Sequence, residues 1–212
     1  MTLQDARIAV CIPARDQMHT ATAFHLYNLA HVLTKSGIDH KAFVSHGTLI
    51  ANQRHELVCS AQEWGATHVM FIDSDIEFQP EHVIKLLEFD EPIVAAAYSK
   101  RVEPIITTAW TKIDDWSTHV DPLKQTDSHI RVQAIALGFC LIKIGVFDQV
   151  SLPWFQLGFH NGEYTGEDIE FFRKCNQEKI PVWMDVQTTL ELGHLGTKSF
   201  RVAPGVTVNL AT

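Results

Sequence analysis

The sequence predicts an α/β fold: a single domain with a mostly parallel central sheet flanked by helices and an elaborated antiparallel second half. Three observations carry this expectation. Apolar runs at 7–13, 41–45, 68–73 and 93–99 alternate with stretches of helical period at 20–36, 48–64 and 80–88. Strand–helix alternation of this kind builds a parallel sheet covered on both faces. The chain has 212 residues, 46% hydrophobic and 20% charged, enough apolar material for one large core.

Each element has a local reason. The run RIAVCIP at 7–13 reads as a buried strand that stops at Pro13. Ala23, Leu26, Ala30 and Leu33 share one face of the first helix, and Gly37 is placed to end it. A second strand near 41–45 leads to a helix over 48–64, closed by Gly65. The β-branched and aromatic run HVMFID at 68–73 suits a strand buried on both faces. Pro80 favours the first turn of a helix that reaches Glu88, and the strand IVAAAYS follows at 93–99. Beyond it, 104–111 and 129–144 read as longer strands around a polar, irregular segment at 112–128. A helix is expected over 166–177 and a strand over 181–186. No Gly/Ser-rich linker, low-complexity tract or internal repeat divides the chain.

Charge and cysteine usage narrow the function classes. With 17 Lys and Arg against 25 Asp and Glu, the formal charge is −8, which argues against a protein that coats nucleic acid. Cys11, Cys59, Cys140 and Cys175 form no CxxC pair, so the spacing excludes a zinc ribbon. The start MTLQDARIAV has no apolar core of a signal peptide. The apolar stretch 134–147 is broken by Lys143 and is shorter than the roughly 18 residues of a membrane span. A reducing cytoplasm with free thiols is the expected setting.

Three constellations carry chemistry. Asp73-Ser74-Asp75 follows directly on the strand Val69–Ile72, and in open α/β sheets ligands bind beyond the carboxyl ends of the strands. Two acids spaced i, i+2 at such an edge suit a hard divalent cation together with a ribose or phosphate. The same tripeptide also makes an ordinary turn. Gly166-Glu167-Asp168 opens a helix, where acids offset the helix dipole and where a rigid carboxylate is also placed to take a proton from an acceptor hydroxyl. Glu191-Leu192-Gly193-His194 sets an imidazole between glycines; reaching back to Asp75, it would complete an oxygen-plus-nitrogen site suited to Mn²⁺. Lys198 and Arg201 follow, as neutralising charges for a diphosphate or as part of a solvated tail.

These features in this order resemble the GT-A glycosyltransferases, and within them the family-2-like enzymes and their small phage and bacterial relatives. The matching pieces are Ile12-Pro13-Ala14-Arg15, Asn52-Gln53-Arg54, Phe71-Ile72-Asp73-Ser74-Asp75, Ala97-Tyr98-Ser99-Lys100-Arg101, Gly138-Phe139-Cys140-Leu141-Ile142, Gly166 to Phe171, and Gly193-His194, spanning about 7–198. The resemblance implies a nucleoside-diphosphate sugar donor, a divalent cation (Mn²⁺ or Mg²⁺), and an acceptor hydroxyl on a glycan, a lipid, a small molecule or a modified nucleobase. It divides the single domain, 1–212, into a nucleotide-binding half over about 1–100 and an acceptor and catalytic half over about 101–200. Pro13, Ala14 and Arg15 would line the nucleoside pocket with Asn52 and Arg54 nearby. Asp73 and Ser74 would face the ribose or the metal, and Asp75 would bind the metal with His194. Gly138 would let the sugar approach the backbone, while Tyr98, Lys100 or Arg101 would touch donor or acceptor. Asp168, beside Glu167, would be the base if the reaction inverts the anomeric centre and would orient substrate if it retains it. Lys198 or Arg201 would stabilise the departing diphosphate.

Two other readings stand beside this one. A sugar-1-phosphate nucleotidyltransferase also uses an α/β sheet and acidic metal ligands, but it usually carries a glycine-rich loop after the first strand, and PARDQMH at 13–19 has no glycine. A non-catalytic nucleotide-sugar-binding subunit would show decay of the polar positions, and every one is filled. The stretch Gly193–Ser199 lacks the contiguous GK[ST] of a phosphate-binding loop, and His55-Glu56 lacks the second histidine of a zinc-protease helix.

Overall fold

Alternation along the first strand sorts the core into two layers. The computed structural model describes residues 3–160 and 162–196. In β1 (Arg7–Pro13), Ala9 and Cys11 join one apolar cluster while Ile8, Val10 and Ile12 join the other, as a period of two requires. β3 (His68–Ile72) repeats this, with Val69 and Phe71 on the first side and Met70 and Ile72 on the second. The first layer is closed by α2 (Ile50–Trp64), through Leu57, Val58 and Ala61, and by α5 (Glu167–Gln177), through Ile169, Phe171 and Phe172. The second is closed by α1 (Thr20–Lys35), through Leu29 and Leu33, and by α3 (Pro80–Glu88), through Val83 and Leu86.

The central sheet has seven strands in the order β2-β1-β3-β9-β5-β12-β7. β2 (Asp39–Ser45) and β3 flank β1 in parallel, and β5 (Ile93–Ala95) pairs in parallel with β12 (Val182–Asp185). β9 (Phe139–Lys143) is inserted antiparallel between β3 and β5, and β7 (His129–Val132) closes the edge antiparallel to β12. Five of the seven strands therefore run the same way, and their carboxyl ends form one edge.

Helix punctuation follows the residues. Gly65 caps α2 in the left-handed region at φ 77° and donates to the carbonyl of Ala61. Pro80 opens α3, where Gln79 and His82 form a reciprocal capping pair. Gly166 is the N-cap of α5.

The second half departs from expectation. The run 129–144 is not one strand but three: β7, the short β8 (Ala134–Ile135) and β9, with a turn at Leu137 and Gly138. The run 104–111 contributes only β6 (Ala109–Trp110), which pairs antiparallel with β8. β5 stops at Ala95, because the chain leaves the sheet there and the Tyr98 backbone bonds instead to Thr108. Four further features carry no strong periodic signal: α4 (Val146–Gln149), α6 (Val186–Glu191), the hairpin β10 (Gly158–His160) with β11 (Glu163–Thr165), and the pairing of β4 (Ile76–Glu77) with β13 (Gly193–His194). Among the described residues no helix is long and apolar enough to cross a membrane, and all four cysteines are free thiols.

Candidate active site

The chain turns sharply where β3 ends at the carboxyl edge. The amide of Asp73 donates to the carbonyl of Gly138 at 2.9 Å, so the turn is tied to the strand inserted beside it. Asp73 and Asp75 then part company.

Asp73 faces inward. Arg54, on α2, has a side chain only 4% exposed and lies over the Phe71 ring at 5.1 Å. Its Nη2 donates to Asp73 Oδ1 at 3.0 Å and its Nε to Glu167 Oε1 at 3.1 Å, linking β3 to the first turn of α5. Burial works against the guanidinium charge, but Asp73 and Glu167 outweigh it and hold the proton above its ordinary affinity. Burial raises the pKa of Asp73, and Arg54 opposes that rise. The Tyr98 hydroxyl lies 3.5 Å from Asp73 Oδ2 and stays protonated, its pKa lifted by burial and then by Asp73. A Cβ at position 138 would come 2.5 Å from that hydroxyl and 2.6 Å from Asp73 Oδ2. In this structure Gly138 makes room for the carboxylate and the phenol.

Asp75 faces outward. The β4–β13 pair places His194 opposite Ile76, and the amide of Leu195 donates to the Asp75 carbonyl at 2.8 Å. His194 Nδ1 is 2.7 Å from the carbonyl of Ser99. A carbonyl only accepts, so Nδ1 carries the proton and Nε2 keeps its lone pair. That Nε2 lies 3.8 Å from Asp75 Oδ1. Burial lowers the His194 pKa, keeping the ring neutral at neutral pH. Arg101 lies against the other oxygen, Asp75 Oδ2. Beside this corner opens a cleft of about 370 Å³ lined by Gln17, Met18, His19, Thr20, Ser74, Asp75 and Arg101.

Asp168 sits one residue beyond Glu167 in the first turn of α5, its Oδ1 accepting from the amide of Ile169 at 2.8 Å. Burial, and then the adjacent Glu167, push its carboxyl up to about 6. That brings the carboxylate closer to the range in which a general base works near neutral pH.

The remaining candidate residues are dispersed. Pro13 and Ala14 are buried at the end of β1, with the Ala14 amide bonded to the Ser45 carbonyl at 3.1 Å. Arg15 and Asn52 are exposed. Lys100 Nζ lies 5.5 Å from the Trp110 ring centre, toward the second half. Lys198 and Arg201 fall outside the described residues. The structure thus gathers Asp73, Arg54, Tyr98, Gly138, Glu167 and Asp168 into one centre, and Asp75, Ser74, Arg101 and His194 into a second.

Sequence reasoning passed over Gln53. It is buried, donates from Nε2 to the Gly47 carbonyl at 2.8 Å and accepts from Ser45 Oγ at 3.3 Å, bracing the loop after β2. An amide on the buried face of an amphipathic helix was the available signal. The cleft wall at 17–20 was also missed, since those residues carry no motif.

Neither a protein-family model nor a curated protein sequence matches this chain. Solved structures do. The crystal structure of A197 from STIV aligns over 95% of this chain and 96% of its own, with a TM-score of 0.56 at 17% identity. The catalytic domain of Drosophila beta1,4galactosyltransferase 7, in complex with xylobiose, aligns over 84% of this chain with a TM-score of 0.50, also at 17% identity; the alignment spans 63% of that domain. The fold is GT-A-like. At this identity the likeness concerns the fold alone.

Among the described residues no three His, Cys, Asp or Glu side chains converge as metal ligands. A carboxylate oxygen and an imidazole lone pair do stand side by side at Asp75 and His194, and the imidazole is oriented by a backbone carbonyl on its other nitrogen, as metal-binding histidines usually are. Such a pair fits Mn²⁺ or Mg²⁺ when phosphate oxygens and water supply the remaining positions. Asp73 is paired with the buried Arg54, Asp75 with the partly exposed Arg101 on Oδ2 only, so Asp73 is the less suitable ligand.

Proposed function

We propose that this protein is a metal-dependent glycosyltransferase of the family-2-like kind, moving a sugar from a nucleoside diphosphate to an acceptor hydroxyl. The observation that carries the reading is the meeting of Asp75 and His194, from distant parts of the chain, at the carboxyl edge of a GT-A-like sheet. In this reading the cleft beside Asp75 is the donor site, with Arg101 on its wall available to the diphosphate. Asp75 and His194 would hold the divalent cation, which would supply positive charge for a departing diphosphate.

The rest of the chemistry belongs to the chain. Arg54 fixes Asp73 and Glu167 from inside and so sets the position of the first turn of α5. Asp168 takes the proton from the acceptor hydroxyl as that oxygen attacks the sugar, an inverting displacement. Its raised pKa makes it a stronger base than an exposed carboxylate while leaving it ionised at neutral pH. The four free thiols favour a reducing, cytoplasmic setting.

The test is release of nucleoside diphosphate from a panel of sugar nucleotides with Mn²⁺, Mg²⁺ or EDTA. Metal-dependent release is expected, with Asp168→Asn reducing transfer by about 10²–10⁴-fold. No release from any sugar nucleotide with either metal contradicts the proposal, and binding without release points to a non-catalytic subunit.

A further inference from the structure

A second cleft lies on the acceptor half. It encloses about 240 Å³ and is lined by Asp114 and Trp116, by His160, Glu163 and Thr165 of the β10–β11 hairpin, and by Arg173 of α5. It shares no lining residue with the cleft beside Asp75.

The hairpin that forms one wall is built inside out. Its register pairs Gly158 with Thr165, Phe159 with Tyr164, and His160 with Glu163. Phe159 and Tyr164 therefore share one face, and that face is solvent-exposed, at 61% and 80%. The other face is polar and turns toward α5. There Thr165 Oγ1 donates to Glu170 Oε1 at 2.6 Å, and His160 Nε2 donates to the same oxygen at 2.9 Å. Gly158 is required at that contact, since a Cβ would come 2.3 Å from Glu170. Burial works against the Glu170 charge, but the bonds from Thr165 and His160 overcome it and keep the carboxylate ionised. A buried carboxylate thus holds the hairpin's polar face in place.

The opposite wall is more exposed, with the Asp114 side chain at 69%. Arg173 Nη1 donates to Asp114 Oδ1 at 2.7 Å, while its Nε is shielded from solvent without a hydrogen-bonded partner. Trp116 packs edge-on against the buried Trp110 at 5.6 Å and remains 36% exposed.

We infer that this cleft is a saccharide subsite for the acceptor, an inference that rests on the glycosyltransferase reading. A sugar ring offers an apolar C–H face and a girdle of hydroxyls, each both donor and acceptor. The cleft offers the complement: one indole for the face, and Asp114, Glu163, His160 and Arg173 for the hydroxyls. Its volume suits one ring rather than an extended ligand. Charge decides against a phosphate or a second nucleotide, because the single guanidinium is already paired with Asp114 and faces Glu163 and Glu170. Position relates the cleft to the chemistry. Thr165 precedes Asp168 by three residues, and Arg173 follows it by five on the same helix.

The experiment is saturation-transfer NMR on the full chain with xylobiose, cellobiose and lactose, alongside inorganic phosphate and Mn²⁺–UDP. Saturation of at least one disaccharide is expected for the unmodified protein, with affinity weakened about tenfold or more in Trp116→Ala. Mn²⁺–nucleotide binding should stay within about twofold in that variant. Glu163→Gln, at an exposed position, provides a second variant and should weaken the same disaccharide. Absence of disaccharide saturation at about 10 mM, an unchanged signal in both variants, or preference for phosphate would overturn the subsite. If nucleotides bind and saccharides do not, the subsite alone falls. If Mn²⁺ and every nucleoside diphosphate tried also fail to bind, the glycosyltransferase reading falls with it.

Discussion

Asp73 and Asp75 leave the same strand two residues apart and are about equally exposed, at 24% and 26% of their side-chain surface. The arginine that meets Asp73 is buried, and the one that meets Asp75 is not. Asp73 turns into the protein, where Arg54 joins it to Glu167 and where Tyr98 and Gly138 close around it. Asp75 turns to the open cleft, with Arg101 on one oxygen and the His194 lone pair near the other. One carboxylate is tied to a buried arginine that also holds Glu167; the other is tied to a partly exposed arginine beside His194. In the proposed function the second is the one that meets the ligand.

The contrast has its largest consequence at Arg54. Arg54→Met leaves the buried Glu167 and the partly buried Asp73 without their counter-charge, and loss of one partner in a buried pair costs up to about 3–5 kcal/mol. Thermal or urea unfolding should show that loss, and Arg54→Lys should recover only part of it, because one ammonium cannot reproduce the fork to Asp73 and Glu167. A change below about 1 kcal/mol would mean that the inner centre is no more coupled than a surface pair.

Next in size is the pH response of Asp168. Its carboxyl is raised from 3.8 to about 6, so the folded state binds the proton more tightly than the unfolded chain. Stability contributed by this group therefore falls as pH rises through that interval. Transfer behaves oppositely, since a protonated base accepts nothing, and its rate should climb with pH through about 6 and then level. A pH–rate profile checks this; a profile flat between pH 5 and 7 would remove Asp168 as the base.

Arg101→Ala should have the smallest effect on folding. Both partners of the Arg101–Asp75 pair are partly exposed, at 38% and 26% of their side-chain surface, and exposed pairs contribute about 0–1 kcal/mol. Urea unfolding measures it. A loss approaching that of Arg54→Met would erase the distinction between the two aspartates.

The legible part of the molecule was the part built by local rules. β1 through α3 follow hydrophobic period and glycine or proline punctuation, and both act within a few residues of each other. The insertion of β9 between β3 and β5 depends on pairing Phe139 with Ile72 and Cys140 with Ala95, contacts between distant segments that no period announces. For the same reason the apolar run 129–144 hid three strands and a turn. Asp73, Asp75, Asp168 and His194 stood out as residues, but their orientations did not. The family resemblance set Arg54 near the nucleoside, whereas here two carboxylates from distant parts of the chain hold it buried. The hairpin at 158–165 was opaque because its aromatic residues face outward, inverting the pattern by which burial is normally read.

Whether Asp75 and His194 form a cation-dependent donor site is decided by titration calorimetry. UDP, GDP, ADP, CDP and dTDP would be titrated into the protein with and without Mn²⁺, and the best binder repeated with Asp75→Ala. Binding of one nucleoside diphosphate that depends on Mn²⁺ and is lost in the variant, with its fold retained, is expected. Equal binding with and without Mn²⁺, or unchanged Mn²⁺-dependent binding in Asp75→Ala, would contradict it.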